Sequence, residues 1–295
     1  MRLTLGESGF LCIGTANFGS KYGIANEFDG IPTSDLKRIF QIINDNPFIG
    51  MDTASNYPLS EEIIGELLNS KTNKLNTKIG FENYSNPELM VESVKRSLFK
   101  TKRSRFNTIY LHGGQINNLN YRNSIKEGLS RIKELDFCET LGVSCYTKNE
   151  ILETVENYQD IGAFQVPENI LDQRLIYSEE LKQLSNAGIK FEIRSIFLQG
   201  SILMRNSKMT EFLKNYAVYF DNLYDMASRS NITVFDLSLK YVLSIPWKSS
   251  VVVGINNFQQ FEKLISFDFD EALIGDYSEL KAPEELTDPR RWNVN

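Results

Sequence analysis

The chain has 295 residues, of which 41% are hydrophobic and 24% are charged, so its composition is that of a globular protein with a substantial core. Its formal net charge of −6 and its pI near 5.1 disfavour nucleic acid and anionic membranes as partners, since both attract basic surfaces. No stretch approaches the roughly 18 consecutive apolar residues of a membrane span, and the N-terminus lacks the apolar run of a signal peptide.

Cysteine and histidine are too few for the disulfide and metal sites that they commonly build. Cys12, Cys138 and Cys145 cannot all pair and are not spaced as a metal knuckle, so we expect a reducing, cytoplasmic environment. The single histidine, His112, excludes a His-rich metal site, and we predict no metal centre. It also leaves one imidazole for acid–base chemistry.

Short apolar runs alternate along the chain with longer amphipathic segments. We predict eight β-strands from these runs: FLCIGTA (10–16), FIGMDTA (48–54), TKIGF (77–81), TIYLH (108–112), TLGVSC (140–145), AFQVP (163–167), KFEIRSI (190–196) and SVVVG (250–254).

The segments between these strands have the apolar spacing of helices. In the first segment the predicted buried face comprises Leu36, Ile39, Phe40 and Ile43. In the segment after the third strand it comprises Leu89, Val91, Val94 and Leu98. The predicted helix starts are Ser34, Ser60, and Asn86 followed by Pro87.

Alternating strands and helices predict a parallel sheet, and eight such units are the number that closes a (β/α)8 TIM barrel. An open doubly wound sheet is the alternative, but GTANFGSKYG after the first strand lacks the G-x-G-x-x-G spacing of a dinucleotide-binding turn. The alternation around Gly6 predicts a short N-terminal β-hairpin that closes the bottom of the barrel. No linker, repeat or low-complexity tract divides the sequence, so we expect one domain over residues 1–295.

Titratable side chains gather where the predicted strands end. Asp52 ends the second strand, Tyr57 lies in the loop after it, Lys78 lies in the third strand and His112 ends the fourth. Barrel active sites form at these carboxyl ends, so the four side chains should converge on one mouth. Taken singly, each residue has a structural explanation. Asp52 could cap a loop and Tyr57 could half bury its ring, while Lys78 could lie on the surface and His112 could form a structural hydrogen bond at the end of its strand.

Together the four residues make chemical sense. A tyrosine, with a pKa near 10, transfers protons poorly at neutral pH unless a cation stabilises its phenolate. Lys78 can supply that cation, and Asp52 can keep a buried lysine charged. His112 could hydrogen-bond the substrate oxygen that Tyr57 protonates. This set suits carbonyl reduction in which another group delivers a hydride.

Several segments carry a resemblance to the aldo-keto reductase family. DTASNYPLSEEIIG resembles the family motif D-T-A-x-x-Y-G-x-S-E-x-x-[LI]-G, with Pro58 in place of a turn glycine. TKIG, IYLHG, LGVSCY and VVVGINNFQQFEKL resemble its lysine strand, its histidine strand, its G-V-S-N-[FY] motif and its phosphate-end motif. The likeness runs from about residue 3 to 265. It implies an NAD(P)H-dependent oxidoreductase with Asp52, Tyr57, Lys78 and His112 as the catalytic tetrad.

The resemblance also implies which residues hold the cofactor. Ser144 and Gln165 would hold the nicotinamide carboxamide, and residues 14–24 would lie beneath the nicotinamide and the substrate. The loop 194–200 would follow the pyrophosphate, and residues 254–260 would meet the adenosine phosphate. The implied cofactor-binding set is Gly14, Thr15, Ser144, Gln165, Arg194, Ser195, Phe197, Leu198, Gly200, Gly254, Asn256 and Gln260.

Three positions depart from the family pattern. Cys145 replaces an asparagine that hydrogen-bonds the nicotinamide, and Arg194 replaces an aromatic residue that stacks on it; a guanidinium can stack but adds charge. Ile255 and Asn256 lie where an arginine or lysine often binds the 2′-phosphate, although Lys248 or Lys263 could substitute. We therefore expect NADP(H) in preference to NAD(H), but with weaker discrimination than an arginine would give.

Two other classes of function were weighed. A hydrolase is suggested by LHGG, but the chain lacks a G-x-S-x-G nucleophile elbow. A non-catalytic nicotinamide-binding regulator or sensor on the same barrel stays open, because a fold does not fix a function. For an enzyme, RSIFLQG and DPRRW resemble a branch associated with bacterial carbohydrate metabolism, which favours a small carbonyl or sugar-derived substrate. The oligomeric state stays open.

Overall fold

The computed structural model describes residues 11–26, 29–69, 72–113, 115–204, 209–269 and 275–292. Eight strands form the sheet: β1 (Leu11–Gly14), β2 (Ile49–Asp52), β3 (Leu75–Gly80), β4 (Phe106–His112), β5 (Cys138–Ser144), β6 (Ile161–Pro167), β7 (Lys190–Arg194) and β8 (Ser250–Gly254). The middle strands, β3 to β6, each begin two residues earlier than predicted.

The eight strands close into a barrel. Each strand pairs in parallel with the next, and β8 pairs with β1 from Leu11 opposite Val251 to Gly14 opposite Gly254. The predicted (β/α)8 TIM barrel is therefore confirmed, and the open doubly wound alternative is wrong. The predicted hairpin around Gly6 lies outside the described residues.

Helices connect successive strands and surround the barrel. They are α1 (Thr33–Asn44), α2 (Ser60–Leu67), α3 (Pro87–Thr101), α4 (Arg122–Glu134), α5 (Lys148–Asn157), α6 (Glu179–Asn186), α7 (Glu211–Lys214), α8 (Ala217–Arg229), α9 (Val234–Leu243), α10 (Phe258–Ile265) and α11 (Glu284–Thr287). Helices α7, α8 and α9 all lie between β7 and β8, so this connection is longer than one helix. No helix within the described ranges combines the length and the apolar character of a membrane span.

The helical patterns were predicted well for α1 and less well for α3. The predicted face of α1 is buried throughout. In α3, Leu89 is 43% exposed, and Met90 is buried in its place. The prediction for Leu89 was wrong because the buried stripe of a helix that begins at Pro87 runs through Met90, Val91, Val94 and Leu98.

One of the three predicted N-caps is present. The Asn86 side chain accepts a hydrogen bond from the Glu88 amide, and Pro87 occupies the first turn. Ser34 and Ser60 lie inside their helices and do not cap them, so these two predictions were wrong. The Ser60 hydroxyl instead donates to the carbonyl of Thr15 at 2.7 Å, which ties α2 to the loop after β1.

The interior of the barrel is unusually polar beneath its mouth. In β7, Phe191 stacks on Phe164 in the hydrophobic core, while Glu192 and Arg194 alternate with it. This alternation turns the two charged side chains inward. A glycine makes room for a large ring in the same interior, since a Cβ on Gly142 would lie 2.5 Å from the ring of Tyr110.

Candidate active site

A cavity of about 840 Å³ opens at the carboxyl ends of the strands. Its volume lies in the range typical of ligand and cofactor sites. Every strand contributes at least one residue from its carboxyl-terminal part: Gly14, Asp52, Lys78, His112, Ser144, Gln165, Arg194 and Gly254. This is the mouth at which a (β/α) barrel builds its active site.

A buried ion pair lies at the base of the cavity. The Lys78 ammonium donates to the carboxylate of Asp52 and to the carbonyl of Thr53, the latter at 3.0 Å. Both charged side chains are at most 5% exposed. Burial alone would lower the pKa of Lys78, but the nearby Asp52 and Tyr57 outweigh it and raise the pKa above its usual value. Lys78 is therefore charged at neutral pH.

Tyr57 and His112 lie beside this pair. Their rings meet edge to face with centroids 6.3 Å apart, and the Lys78 Nζ atom is 5.5 Å from the centre of the Tyr57 ring. All four side chains that the sequence singled out line the same cavity.

The loop that carries Tyr57 is held by backbone contacts on both sides. The Tyr57 amide donates to the carbonyl of Ala54 at 3.0 Å, and the loop enters α2 through Leu59 in a left-handed conformation. Gly19, in the loop after β1, packs against this turn: a Cβ there would lie 2.2 Å from the Pro58 carbonyl oxygen. Only a glycine lets the two loops approach this closely.

The protonation states follow from burial and from the local charges. Burial raises the pKa of Tyr57, and Lys78 opposes this without cancelling it. We expected Lys78 to hold this pKa low; in the structure burial has the larger effect, so Tyr57 carries its proton at neutral pH. Burial, with Lys78 and Arg194, lowers the pKa of His112 to about 3, so its imidazole is neutral.

Of the residues implied for cofactor binding, all but one line the cavity. Those that do are Gly14, Thr15, Ser144, Gln165, Arg194, Ser195, Phe197, Gly200, Gly254, Asn256 and Gln260. The Leu198 side chain is fully buried and does not line the cavity, so its contact with the cofactor stays a prediction. The backbone of residues 198–200 has positive φ throughout, and this tight turn directs Leu198 into the core.

Arg194 lies in the cavity without a carboxylate partner among the described residues. Its guanidinium donates to Ser195 Oγ at 3.2 Å and to the Cys145 carbonyl at 3.4 Å, and it lies 4.4 Å from the ring centre of Tyr146. Its Nε atom is buried and lacks a hydrogen-bond partner within the described structure. The thiol of Cys145, in contrast, is buried outside the cavity lining.

Amide side chains form a network where β8 meets α10. The Asn17 amide donates to the Ile255 carbonyl at 3.3 Å and to the Asn256 side chain, while the Asn256 backbone amide donates to Gln260 Oε1 at 2.9 Å. The buried Oδ1 atom of Asn17 has no partner within the described ranges.

The structure distinguishes between the two lysines considered for the phosphate. Lys263, on α10, lines the cavity with its Nζ atom 4.2 Å from the ring centre of Phe235. Lys248 does not line it; its Nζ atom donates to the Ile245 carbonyl at 3.4 Å, and burial lowers its pKa. Of these two lysines, Lys263 is therefore the one that lines the cavity.

Sequence reasoning missed several residues of the cavity wall. Phe235, at the start of α9, stacks on Phe197 with centroids 5.2 Å apart. No motif marks it, because it comes from a helix that only the closed fold brings to the mouth. Asn17 and Tyr22 lay within the predicted first loop but were not singled out.

Comparisons with known proteins agree with this geometry. The model of the aldo/keto reductase family matches residues 10–274. Similar solved structures include a holo-form aldo-keto reductase from Bacillus halodurans, 20% identical, covering 96% of this chain and 95% of that chain, with a TM-score of 0.72. The glycerol dehydrogenase of Gluconobacter oxydans is 16% identical, with coverages of 95% and 92% and a TM-score of 0.69.

An aldo/keto reductase from Klebsiella pneumoniae, solved with NADP and acetate, is 15% identical, with coverages of 95% and 91% and a TM-score of 0.67. The comparison with curated proteins finds no match. Because the family model covers most of its length, the chain belongs to the aldo/keto reductase family, a family of oxidoreductases.

Proposed function

We propose that this protein, as one domain over residues 1–295, is an NAD(P)H-dependent enzyme that reduces a carbonyl to an alcohol, or runs the reverse reaction. The observation that carries the proposal is the buried Lys78–Asp52 pair beside Tyr57 and His112 in one cavity. A charged lysine next to a buried phenol has no evident structural purpose, whereas such a pair is well suited to proton transfer to a carbonyl.

Each of the four side chains has a distinct role. Tyr57, protonated at neutral pH, donates its proton to the substrate oxygen during reduction and accepts it during oxidation. Lys78 stabilises the phenolate left behind, and Asp52 keeps Lys78 charged and in place. His112, neutral because its pKa is about 3, donates a hydrogen bond to the same oxygen without bringing a second charge.

The cavity residues fit a nicotinamide dinucleotide. Two buried atoms of cavity-lining residues, Asn17 Oδ1 and Arg194 Nε, lack partners within the described structure, and buried polar atoms in such positions are commonly satisfied by ligands. Ser144 and Gln165 would hold the carboxamide, residues 194–200 the pyrophosphate, and Gly254, Asn256 and Gln260 the adenosine end. When bound, the cofactor supplies or accepts the hydride.

We propose NADP(H) rather than NAD(H) as the preferred cofactor. A 2′-phosphate is best held by a cation, and Lys263 is a cation at the β8–α10 end of the cavity that has no ion-pair partner among the described residues. The neighbour from Klebsiella pneumoniae was solved with NADP, which supports this choice.

The proposed substrate is a small aldehyde, ketone or sugar-derived carbonyl, in carbohydrate metabolism and in the cytoplasm. The polar residues of the reacting end suit a hydroxylated compound, and one structural neighbour is a glycerol dehydrogenase. The acidic surface gives no reason to expect a nucleic-acid or membrane partner.

The test is to measure the oxidation of NADPH and NADH with a panel of aldehydes, ketones and sugars. We expect steady turnover with at least one class of carbonyl and a loss of turnover in Tyr57→Phe. Tight cofactor binding without turnover across the panel would favour the alternative, a non-catalytic sensor. Absence of cofactor binding would contradict both.

A further inference from the structure

Glu192 is a buried acid to which the proposed mechanism gives no role. It lies in the middle of β7, faces the barrel interior beneath the cavity, and is 4% exposed. It has no ion-pair partner among the described residues. A buried carboxylate is costly unless hydrogen-bond donors satisfy it, so its partners indicate its purpose.

One of these partners is Gln165, a residue of the cavity. Its Nε2 atom donates to Asp52 Oδ1 at 2.9 Å and to Glu192 Oε2 at 3.2 Å, which uses both amide hydrogens. Amide oxygen and nitrogen are assigned from such networks, and here the network leaves no choice. Turning the amide over would place Oε1 against two carboxylate oxygens, none of which donates a hydrogen when ionised.

Glu192 is itself held in place by the neighbouring strands. The Asn76 Nδ2 atom donates to both of its carboxylate oxygens, at 3.0 and 3.2 Å. Asn76 cannot turn over either, because its Oδ1 atom accepts from the Thr108 backbone amide at 3.1 Å. A backbone group thus fixes Asn76, Asn76 holds Glu192, and Glu192 together with Asp52 orients Gln165.

The charge of Glu192 matters for this arrangement. Burial raises the pKa of Glu192, and the nearby Asp52 raises it further; hydrogen bonds from its neighbours and the charge of Lys78 oppose the shift. The amide groups that contact it are all donors, and donors bind the ionised carboxylate better than the protonated acid.

We propose that Glu192 is a positioning residue, which holds Gln165 with Oε1 as the atom left to contact the ligand. The cavity would then offer the nicotinamide carboxamide an acceptor for its NH2 group. This inference rests on the proposed function, because it requires the nicotinamide to bind beside Gln165. The thiol of Cys145 lies outside the cavity, so Gln165 carries a larger share of this recognition.

The test compares NADP⁺ with its 3-acetylpyridine analogue, in which a methyl group replaces the NH2 group. We expect the wild type to bind NADP⁺ about fivefold to tenfold more tightly, the worth of about one hydrogen bond. In Glu192→Gln the new amide can donate to Gln165 Oε1, so only Asp52 still selects the orientation of Gln165, and the preference should fall by about twofold or more. Dissociation constants from fluorescence titration check this without relying on turnover.

A double-mutant cycle shows whether Glu192 acts through Gln165. Gln165→Met should abolish the preference, and adding Glu192→Gln to it should change nothing further. Glu168→Gln is the matched control: Glu168 is fully buried, is hydrogen-bonded to Tyr241 and to the Leu175 amide, and does not line the cavity. This control should keep the wild-type preference.

The outcomes separate the two proposals. If the wild type binds neither compound, the proposed function fails. If it binds both equally, or if folded Glu192→Gln keeps the full preference, the role of Glu192 is overturned while the proposed function stands. Should Glu192→Gln fail to fold, Asn76→Ala frees Glu192 without removing its charge, and an unchanged preference there overturns the inference equally.

Discussion

The two ends of the cavity use charge in different ways. At the proposed reacting end, Lys78 and Asp52 form a buried pair beside the phenol of Tyr57, whose pKa burial raises and Lys78 lowers in part. At the end formed by β8 and α10, neutral amides bond to one another, and the cation Lys263 packs against an aromatic ring. A buried ion pair holds its charges in place and therefore acts on the pKa of neighbouring groups. Lys263 has no ion-pair partner among the described residues, so it can exchange bound water for the phosphate of a ligand. Substitutions at the first end should therefore change the rate, and those at the second end the choice of cofactor.

The largest expected effect comes from the proton donor. Tyr57→Phe removes the hydroxyl but keeps the ring that packs against His112, so cofactor affinity should persist. Turnover should fall about 10²-fold or more, the range for loss of a general acid. Steady-state rates and cofactor titration check this, and wild-type turnover in the variant would assign the proton donor elsewhere.

Lys78→Met tests the electrostatic coupling at the same end. Lys78 lowers the pKa of Tyr57 against the effect of burial, so its removal should raise that pKa further. The pH optimum for alcohol oxidation, which needs the phenolate, should move upward. Asp52→Asn should have a smaller effect, because Asp52 itself raises the pKa of Tyr57 while holding Lys78 in place. Unchanged pH profiles in both variants would show that the groups are not coupled.

The sequence predicted the barrel and the reacting end for related reasons. Strand ends converge in a closed barrel, so Asp52, Lys78 and His112 could be grouped from the sequence alone. The pKa of Tyr57 could not be predicted, because it depends on how deeply the loop is buried. The buried position of Glu192 was not predicted. If the inner face of the sheet is assumed to be apolar, an acidic residue in a strand is assigned to the exposed face.

The cofactor end was predicted as a region but not in detail. The Leu198 side chain lies outside the cavity lining because left-handed backbone turns it inward, and Phe235 was missed because a helix far along the chain supplies it. Whether Lys263 lines the cavity depends on the register of α10, and this register needs three-dimensional packing to define it.

Cofactor choice should respond to changes at the second end. Lys263→Met should reduce the preference for NADP(H) over NAD(H) by about tenfold, since a charge-assisted hydrogen bond contributes about 1.5 to 3 kcal/mol. Lys248→Met is the matched control and should leave the preference unchanged, because Lys248 does not line the cavity. Affinities for both cofactors provide the measurement.

A substitution that adds a positive charge tests the same prediction about cofactor preference in the opposite direction. Asn256→Arg should increase the preference for NADP(H), because it adds a guanidinium to the cavity wall. A wild-type preference that already exceeds about a thousandfold, or a ratio that neither substitution moves, would show that another group binds the phosphate.

A further expected effect concerns stability at low pH. The pKa of His112 is about 3 in the folded chain and about 6.5 when unfolded, so in this window the unfolded state binds a proton that the folded state does not. Stability should therefore fall as the pH decreases from about 6.5 towards 3. His112→Gln lacks this contribution, so its free energy of unfolding should fall less between pH 7 and pH 4.5 in urea titrations. Equal losses would contradict the depressed pKa.

The pairing of β1 with β8 has a consequence for how the protein is made. These strands come from opposite ends of the barrel sequence, and contacts so distant along the chain form late in folding because a long loop must close first. Gly14 and Gly254 lie on the two sides of this seam, and both line the cavity. During synthesis, a nascent chain that already contains Asp52, Tyr57, Lys78 and His112 therefore still lacks a complete binding site until β8 has left the ribosome.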